Sequence, residues 1–214
     1  VRRSQKGFTI VELMIATSVF AVVLIICTIA MLQIGRTYYK GITSTRTQET
    51  AREIVDEVAR AIQYGSGRPE TLTAGGNTGY CIGNKRYSYD LDWQVADNPN
   101  TSQNQSRHAL VVDDIACAGS AALAVAPSPP ANPITAAGVG ENPHELINTR
   151  MRLMRFTVQQ VGAADSNLYR IIVRVVSGDN DLLTSDHMNC SSQRAGGQFC
   201  AVSELSTVVQ KRVE

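Results

Sequence analysis

The chain has 214 residues, a formal net charge of +1 and 18% charged side chains. No strong electrostatic field therefore draws it to nucleic acid or to an acidic surface, and composition gives a nucleic-acid partner no support. It carries no G-x-S-x-G, Walker A or H-E-x-x-H run, and its three histidines, His108, His144 and His187, are scattered in sequence, so it reads as a non-enzyme without a cofactor.

Residues 1–7 form a short basic leader containing Arg2, Arg3 and Lys6. From Leu13 to Gly35, 23 residues carry no charge, and the strongly polar side chains among them are Thr17, Ser18, Thr28 and Gln33. A bilayer core of about 30 Å needs about 20 apolar residues in a helix, which must satisfy its own backbone groups. The basic residues before the run should hold that end in the cytoplasm and leave the rest of the chain outside. A cleaved secretory signal fits poorly, because the run is long and no small-residue cut site follows it. A plain signal anchor explains the run but gives no reason for Glu12. A carboxylate inside a membrane segment costs about 2.5–3.5 kcal/mol on insertion scales and usually marks function. A cationic partner at the same depth would cancel that cost.

Gly7-Phe8-Thr9-Ile10-Val11-Glu12-Leu13-Met14 resembles the class III signal of type IV pilins and type II secretion pseudopilins. The resemblance implies cleavage between Gly7 and Phe8 by a prepilin peptidase, followed by N-methylation of Phe8. It gives Glu12 a role in methylation and in subunit docking, where it would face the new α-amine of a neighbouring copy. The implied partners are other major and minor pilins or pseudopilins, an assembly ATPase, a platform protein and, before assembly, membrane lipid. The implied fold is α+β: a long N-terminal helix packed on an antiparallel β-sheet head.

The apolar run continues without proline into residues 36–64, where Ala51, Ile54, Val55, Val58, Ala59 and Ile62 recur at helical spacing. Gly35 and Gly41 are weak points that would bend or locally melt the helix, or are merely tolerated. Gly65-Ser66-Gly67-Arg68-Pro69 stops it. In its second half this helix resembles, by composition, that of the larger W-type minor pilins and J-type minor pseudopilins.

Residues 65–214 are expected to form a β-rich head. Residues 70–79 read as a Gly/Thr/Asn loop. Tyr87, Tyr89, Leu91, Trp93 and Val95 alternate with Arg86, Ser88, Asp90, Asp92 and Gln94, which predicts one strand with a single apolar face. His108–Ile115 is a short strand candidate. Residues 118–143, with five prolines from Pro127 to Pro143, read as an extended loop. Arg150–Val161 and Leu168–Ser177 are the best strands, joined by a turn over Gly162–Asn167. In the second, Tyr169, Ile171, Val173 and Val175 face one way and Arg170 and Arg174 the other, as in a sheet covered on one face. Leu205–Val213 is a closing strand.

Cys27 lies in the apolar run, whereas Cys81, Cys117, Cys190 and Cys200 lie in the head and suit an oxidising compartment. Local pairing favours Cys81–Cys117 and Cys190–Cys200, and the close spacing of a zinc site is missing. A disulfide-bound loop over 190–200 resembles the one that edges pilin heads. Asp179 and Asp181 carry the hard oxygens calcium takes but lack the EF-hand spacing and glycine, so they read as a solvated turn, as do Asp113 and Asp114.

The sequence thus predicts a single-pass cytoplasmic-membrane protein with its head outside, later part of a pilus or a periplasmic or cell-surface fibre. The size of the head favours a minor subunit at the tip or in the assembly-priming complex. The alternatives are a minor pseudopilin of a type II secretion or DNA-uptake system, or an anchored binding protein that never polymerises.

Overall fold

The computed structural model describes residues 7–74, 77–95, 108–115, 140–163, 166–191 and 195–212. It opens with helix α1, Ile10–Tyr64. Among the described residues eight strands follow: β1 Glu70–Ala74, β2 Asn77–Ile82, β3 Lys85–Tyr89, β4 Leu110–Asp114, β5 Glu141–Glu145, β6 Met151–Gln160, β7 Leu168–Ser177 and β8 Ala201–Gln210. All pair antiparallel, in one sheet ordered β1-β2-β3-β4-β5 and a second ordered β6-β7-β8. The architecture is the expected α+β, with two sheets among the described residues of the head instead of one. By internal contacts the chain divides into Val1–Tyr39 and Lys40–Glu214.

Within the second unit the helix buries Thr47, Thr50, Ala51, Ile54, Val55, Val58 and Ile62, while Ala59 is half-buried. This is the predicted apolar stripe extended by two threonines. Thr47 donates its hydroxyl to the Thr43 carbonyl at 2.8 Å, and Thr50 accepts from Asn148 Nδ2 at 2.7 Å. Neither hydroxyl is therefore buried without a partner. The stripe packs with Tyr80, Tyr87, Leu110, Leu153, Phe156, Ile171 and Val173 in one core. Tyr80 and Tyr89 stand edge-on to Phe156, with ring centroids 5.4 and 5.2 Å apart.

The helix stop and the β2–β3 turn meet through two glycines. A Cβ at Gly83, which has φ +65°, would lie 2.8 Å from the Gly65 Cα. No other residue permits both that backbone and that approach.

Several elements depart from the sequence reading. Residues 70–79 contain β1 and the first half of β2, because each strand completes the other's backbone bonds across the sheet. Glu141, Asn142 and Pro143, assigned to the Ala/Pro loop, lie in β5, and residues 118–139 of that loop fall outside the described residues. Among the described residues β5 is an edge strand, where proline's missing N–H costs no ladder bond.

The predicted strand over 86–95 ends at Tyr89. The chain turns at Asp92, φ 65°, and Leu91 is exposed. Gln94 then bridges to Arg152, and Asp92 N–H donates to the Leu153 carbonyl at 2.9 Å, tying the segment to β6. The polar face of β3 is buried too: Arg86 and Ser88 are 0% and 1% exposed. Arg86 pairs with Asp113, directly opposite on β4, so Asp113 is no solvated turn. β7 matches its predicted bounds, and Tyr169, Ile171, Val173 and Val175 enter the core. Its other face is partly covered as well. Val176 packs with Leu182, Leu183 and Cys200 in a second, smaller cluster.

Candidate functional site

Gly7, Phe8 and Thr9 precede the first helical residue. Thr9 is the N-cap: its Oγ1 accepts from the Glu12 N–H at 3.3 Å, and its carbonyl accepts from the Leu13 N–H at 3.2 Å. Threonine is favoured there because its oxygen satisfies a donor the first turn leaves open. The pattern T-x-x-E is itself a helix-start signal, and it was legible in the sequence. Glu12 therefore sits in the first turn, where the helix dipole favours an anion. A plain anchor does have a local reason to carry Glu12, which corrects the sequence reading.

Phe8 is 77% exposed and Glu12 is exposed. A Cβ at Gly7 would meet nothing within 4 Å, so packing does not demand glycine there.

The helix is long and apolar enough to cross a membrane, and its most apolar stretch is not buried in the protein. Four of its hydroxyls up to Thr37 are satisfied internally. Thr17, Ser18, Thr28 and Thr37 donate to the carbonyls of Met14, Ile15, Leu24 and Gln33 at 3.1, 2.8, 2.8 and 3.0 Å. Such back-bonding spares a hydroxyl from standing unpaired in lipid. Cys27 is a free, exposed thiol on this helix.

In the head, Cys190 and Cys200 form a disulfide, with Cα atoms 5.8 Å apart. Cys81 is disulfide-bonded, and Cys117 lies outside the described residues. The segment between β7 and β8 is tied down by two arginines from the sheet. Arg174 donates to the Met188 carbonyl at 2.7 Å and to Asn189 Oδ1 at 3.0 Å. Arg152 donates to Asn180 Oδ1 at 2.6 Å and to Asp92 Oδ1 at 3.0 Å. His187 Nδ1 lies 2.8 and 2.7 Å from the two oxygens of Asp92. Fold geometry thus unites residues 95 positions apart that sequence reasoning left scattered. The Thr184 hydroxyl and the Met188 N–H hold the Asp186 carboxyl below its usual range. Burial pushes the Asp90 carboxyl above its own, against the Leu91 N–H and Trp93.

Asp179 Oδ1 accepts from Gln94 Nε2 at 3.2 Å, and Asp181 lies in a short 3₁₀ turn. Among the described residues no three His, Cys, Asp or Glu side chains gather as a metal site. His108 meets Glu145 at 3.3 Å, and His144 meets the Asn142 carbonyl at 2.9 Å. The Glu145 carboxylate also accepts three backbone N–H groups, from Ala109, Leu110 and Ile147, which makes it a structural hub.

A capped apolar N-terminal helix with an antiparallel β head is a pilin-like architecture. Residues 2–28 match the family model of the prokaryotic N-terminal methylation motif, the class III prepilin signal, which is consistent with the type IV pilin and pseudopilin family. Such a signal implies processing by a prepilin peptidase and assembly with other pilins. No curated protein and no solved structure matches the chain.

Proposed function

We propose that the protein is a minor pilin or pseudopilin with a structural, non-enzymatic role. It is cut between Gly7 and Phe8, N-methylated at Phe8, and docked in a fibre through Glu12. Residues 1–7 are the leader, 8–35 the membrane and fibre-core helix, 36–64 its amphipathic continuation, and 65–214 the head displayed outside. Helix–helix packing in the fibre offsets the lipid contacts the helix leaves. A head of this size, with its disulfide-bound C-terminal segment, favours the tip or the priming complex over the repeating shaft.

One observation carries this reading. Gly7 and Phe8 stand outside the helix, one turn before Glu12, within the matched motif. A protease needs extended backbone at the bond it cuts, and a cap at Thr9 keeps the helix from running back through it. Since packing leaves room for a side chain at Gly7, the demand for glycine belongs to the enzyme's pocket.

The test is mass spectrometry of the N-terminus after co-expression with a prepilin peptidase. A new N-terminus at methylated Phe8, abolished by Gly7→Ala, is expected. An unchanged N-terminus refutes the reading and leaves an anchored binding protein.

A further inference from the structure

Immediately past the apolar run, the helix changes character. Arg36 is exposed, and Tyr38 and Tyr39 are 66% and 52% exposed with ring centroids 6.1 Å apart in an edge-on pair. Lys40 follows in sequence. No acidic residue occurs between Glu12 and Glu49, and the charges in that interval are Arg36, Lys40 and Arg46. Exposed tyrosines beside cations are what a helix carries where it leaves hydrocarbon, since each ring has an apolar body and a polar tip. Spacing agrees. Glu12 and Arg36 are 24 residues apart, about 36 Å at a rise of 1.5 Å per residue. That slightly exceeds a hydrocarbon core of about 30 Å. With Glu12 at the inner boundary, Arg36 and both tyrosines stand at the outer headgroups.

We propose that Arg36, Tyr38 and Tyr39, continued by Lys40, form a belt that binds anionic lipid headgroups of the outer leaflet before assembly. The tyrosine rings lie in the interface and fix the depth of the helix. The guanidinium and ammonium groups meet lipid phosphate, and the helix segment between Glu12 and Glu49 carries no acidic residue to oppose that attraction. The inference rests on the membrane-spanning part of the proposed function. It adds a lipid class and a depth that the spanning helix alone does not specify.

The experiment uses the full chain with Cys27→Ser, reconstituted in vesicles and spin-labelled at Thr37→Cys or Leu24→Cys. The Leu24 label should collide with oxygen and stay shielded from a water-soluble nickel chelate. The Thr37 label should report the phosphate level and move outward when Tyr38→Ser and Tyr39→Ser are combined. Dipolar broadening from headgroup-labelled phosphatidylglycerol should exceed that from labelled phosphatidylcholine. Arg36→Gln should lower this preference about five-fold, the factor equivalent to ~1 kcal/mol per basic residue near an anionic surface. Lys40→Gln should act alike. A Thr37 label in bulk water, or equal broadening by both lipids, overturns the belt while the span stands. A Leu24 label open to the chelate overturns both.

Discussion

Replacing Asp113 by alanine tests the least sequence-legible interaction in the head. Arg86 is 0% exposed and Asp113 1%. Arg86 Nε donates to Asp113 Oδ1 at 3.0 Å, its Nη2 donates to Oδ2, and Gly140 N–H donates to Oδ2 at 2.7 Å. Removing the carboxylate takes the Asp113 charge away from a buried guanidinium and the Asp113 acceptor away from the Gly140 amide. Breaking a buried pair from one side costs about 3–5 kcal/mol, whereas replacing both partners by apolar groups of similar volume is often neutral or better. With an m-value of about 2 kcal/mol per M, Asp113→Ala should lower the urea midpoint by about 2 M. Arg86→Met combined with Asp113→Leu should recover most of that loss. Urea unfolding of the full chain in detergent, followed by Trp93 fluorescence, measures both. An Asp113→Ala midpoint near wild type refutes the reasoning, as does a double variant no better than the single.

Three more expectations concern stability. Cys190→Ser with Cys200→Ser opens a loop with a sequence separation of 10. In the chain-entropy model such a loop is worth roughly 3 kcal/mol, or about 10 °C in melting temperature, read by calorimetry without reductant. At Gly35 and Gly41 an added Cβ meets nothing within 4 Å. Alanine at either should therefore stabilise the helix by about 1 kcal/mol, seen as slower amide exchange in micelles. Should fibre incorporation fall while helix stability rises, the glycines serve a bend that assembly needs. Asp90 has its carboxyl pushed upward by burial, so its charged form weakens the fold as pH rises through the raised value. Asp90→Asn should be slightly more stable than wild type at pH 7, and the gap should close once pH falls below the ordinary carboxylate range of about 4. Urea midpoints at pH 7 and pH 3 check the sign.

What the sequence could disclose follows from how far apart the interacting groups lie. The apolar run, the stripe from Ala51 to Ile62 and the alternation in Leu168–Ser177 are local periodicities, and each appears in place. β1 and β2 escaped because Thr, Gly and Asn make a strand only when each segment supplies the other's backbone partners. Arg86 and Asp113 are 27 positions apart, and charge alone predicted solvent for both. Alternation continued past Tyr89 in the sequence, but the turn at Asp92 sends the chain to β6 and Arg152. His187 gained a carboxylate partner 95 positions away that no spacing rule can find. The N-terminal site was the most legible part because its pattern is local. The sequence reading nonetheless gave Glu12 roles in methylation and docking and overlooked its place in the capped first turn.

Two substitutions separate the docking role proposed for Glu12 from its place in the capped first turn. The cap bond runs from the Glu12 backbone N–H to the Thr9 side chain, so changing the Glu12 side chain leaves it in place. Glu12→Gln therefore removes the charge and keeps the helix start. Thr9→Ala does the reverse, at about 1 kcal/mol for the lost cap. If charge neutralisation against a neighbour's amine is what assembly requires, Glu12→Gln should abolish fibre incorporation, while Thr9→Ala should mainly fray the first turn and leave incorporation measurable. Conversely, a first turn that serves only to present Phe8 would make Thr9→Ala the more damaging change. Immunoblots of sheared fibres, read beside the N-terminal mass, compare the two. Normal methylation and incorporation of Glu12→Gln would mean that the carboxylate is only a first-turn helix stabiliser, and the docking role would have to be abandoned.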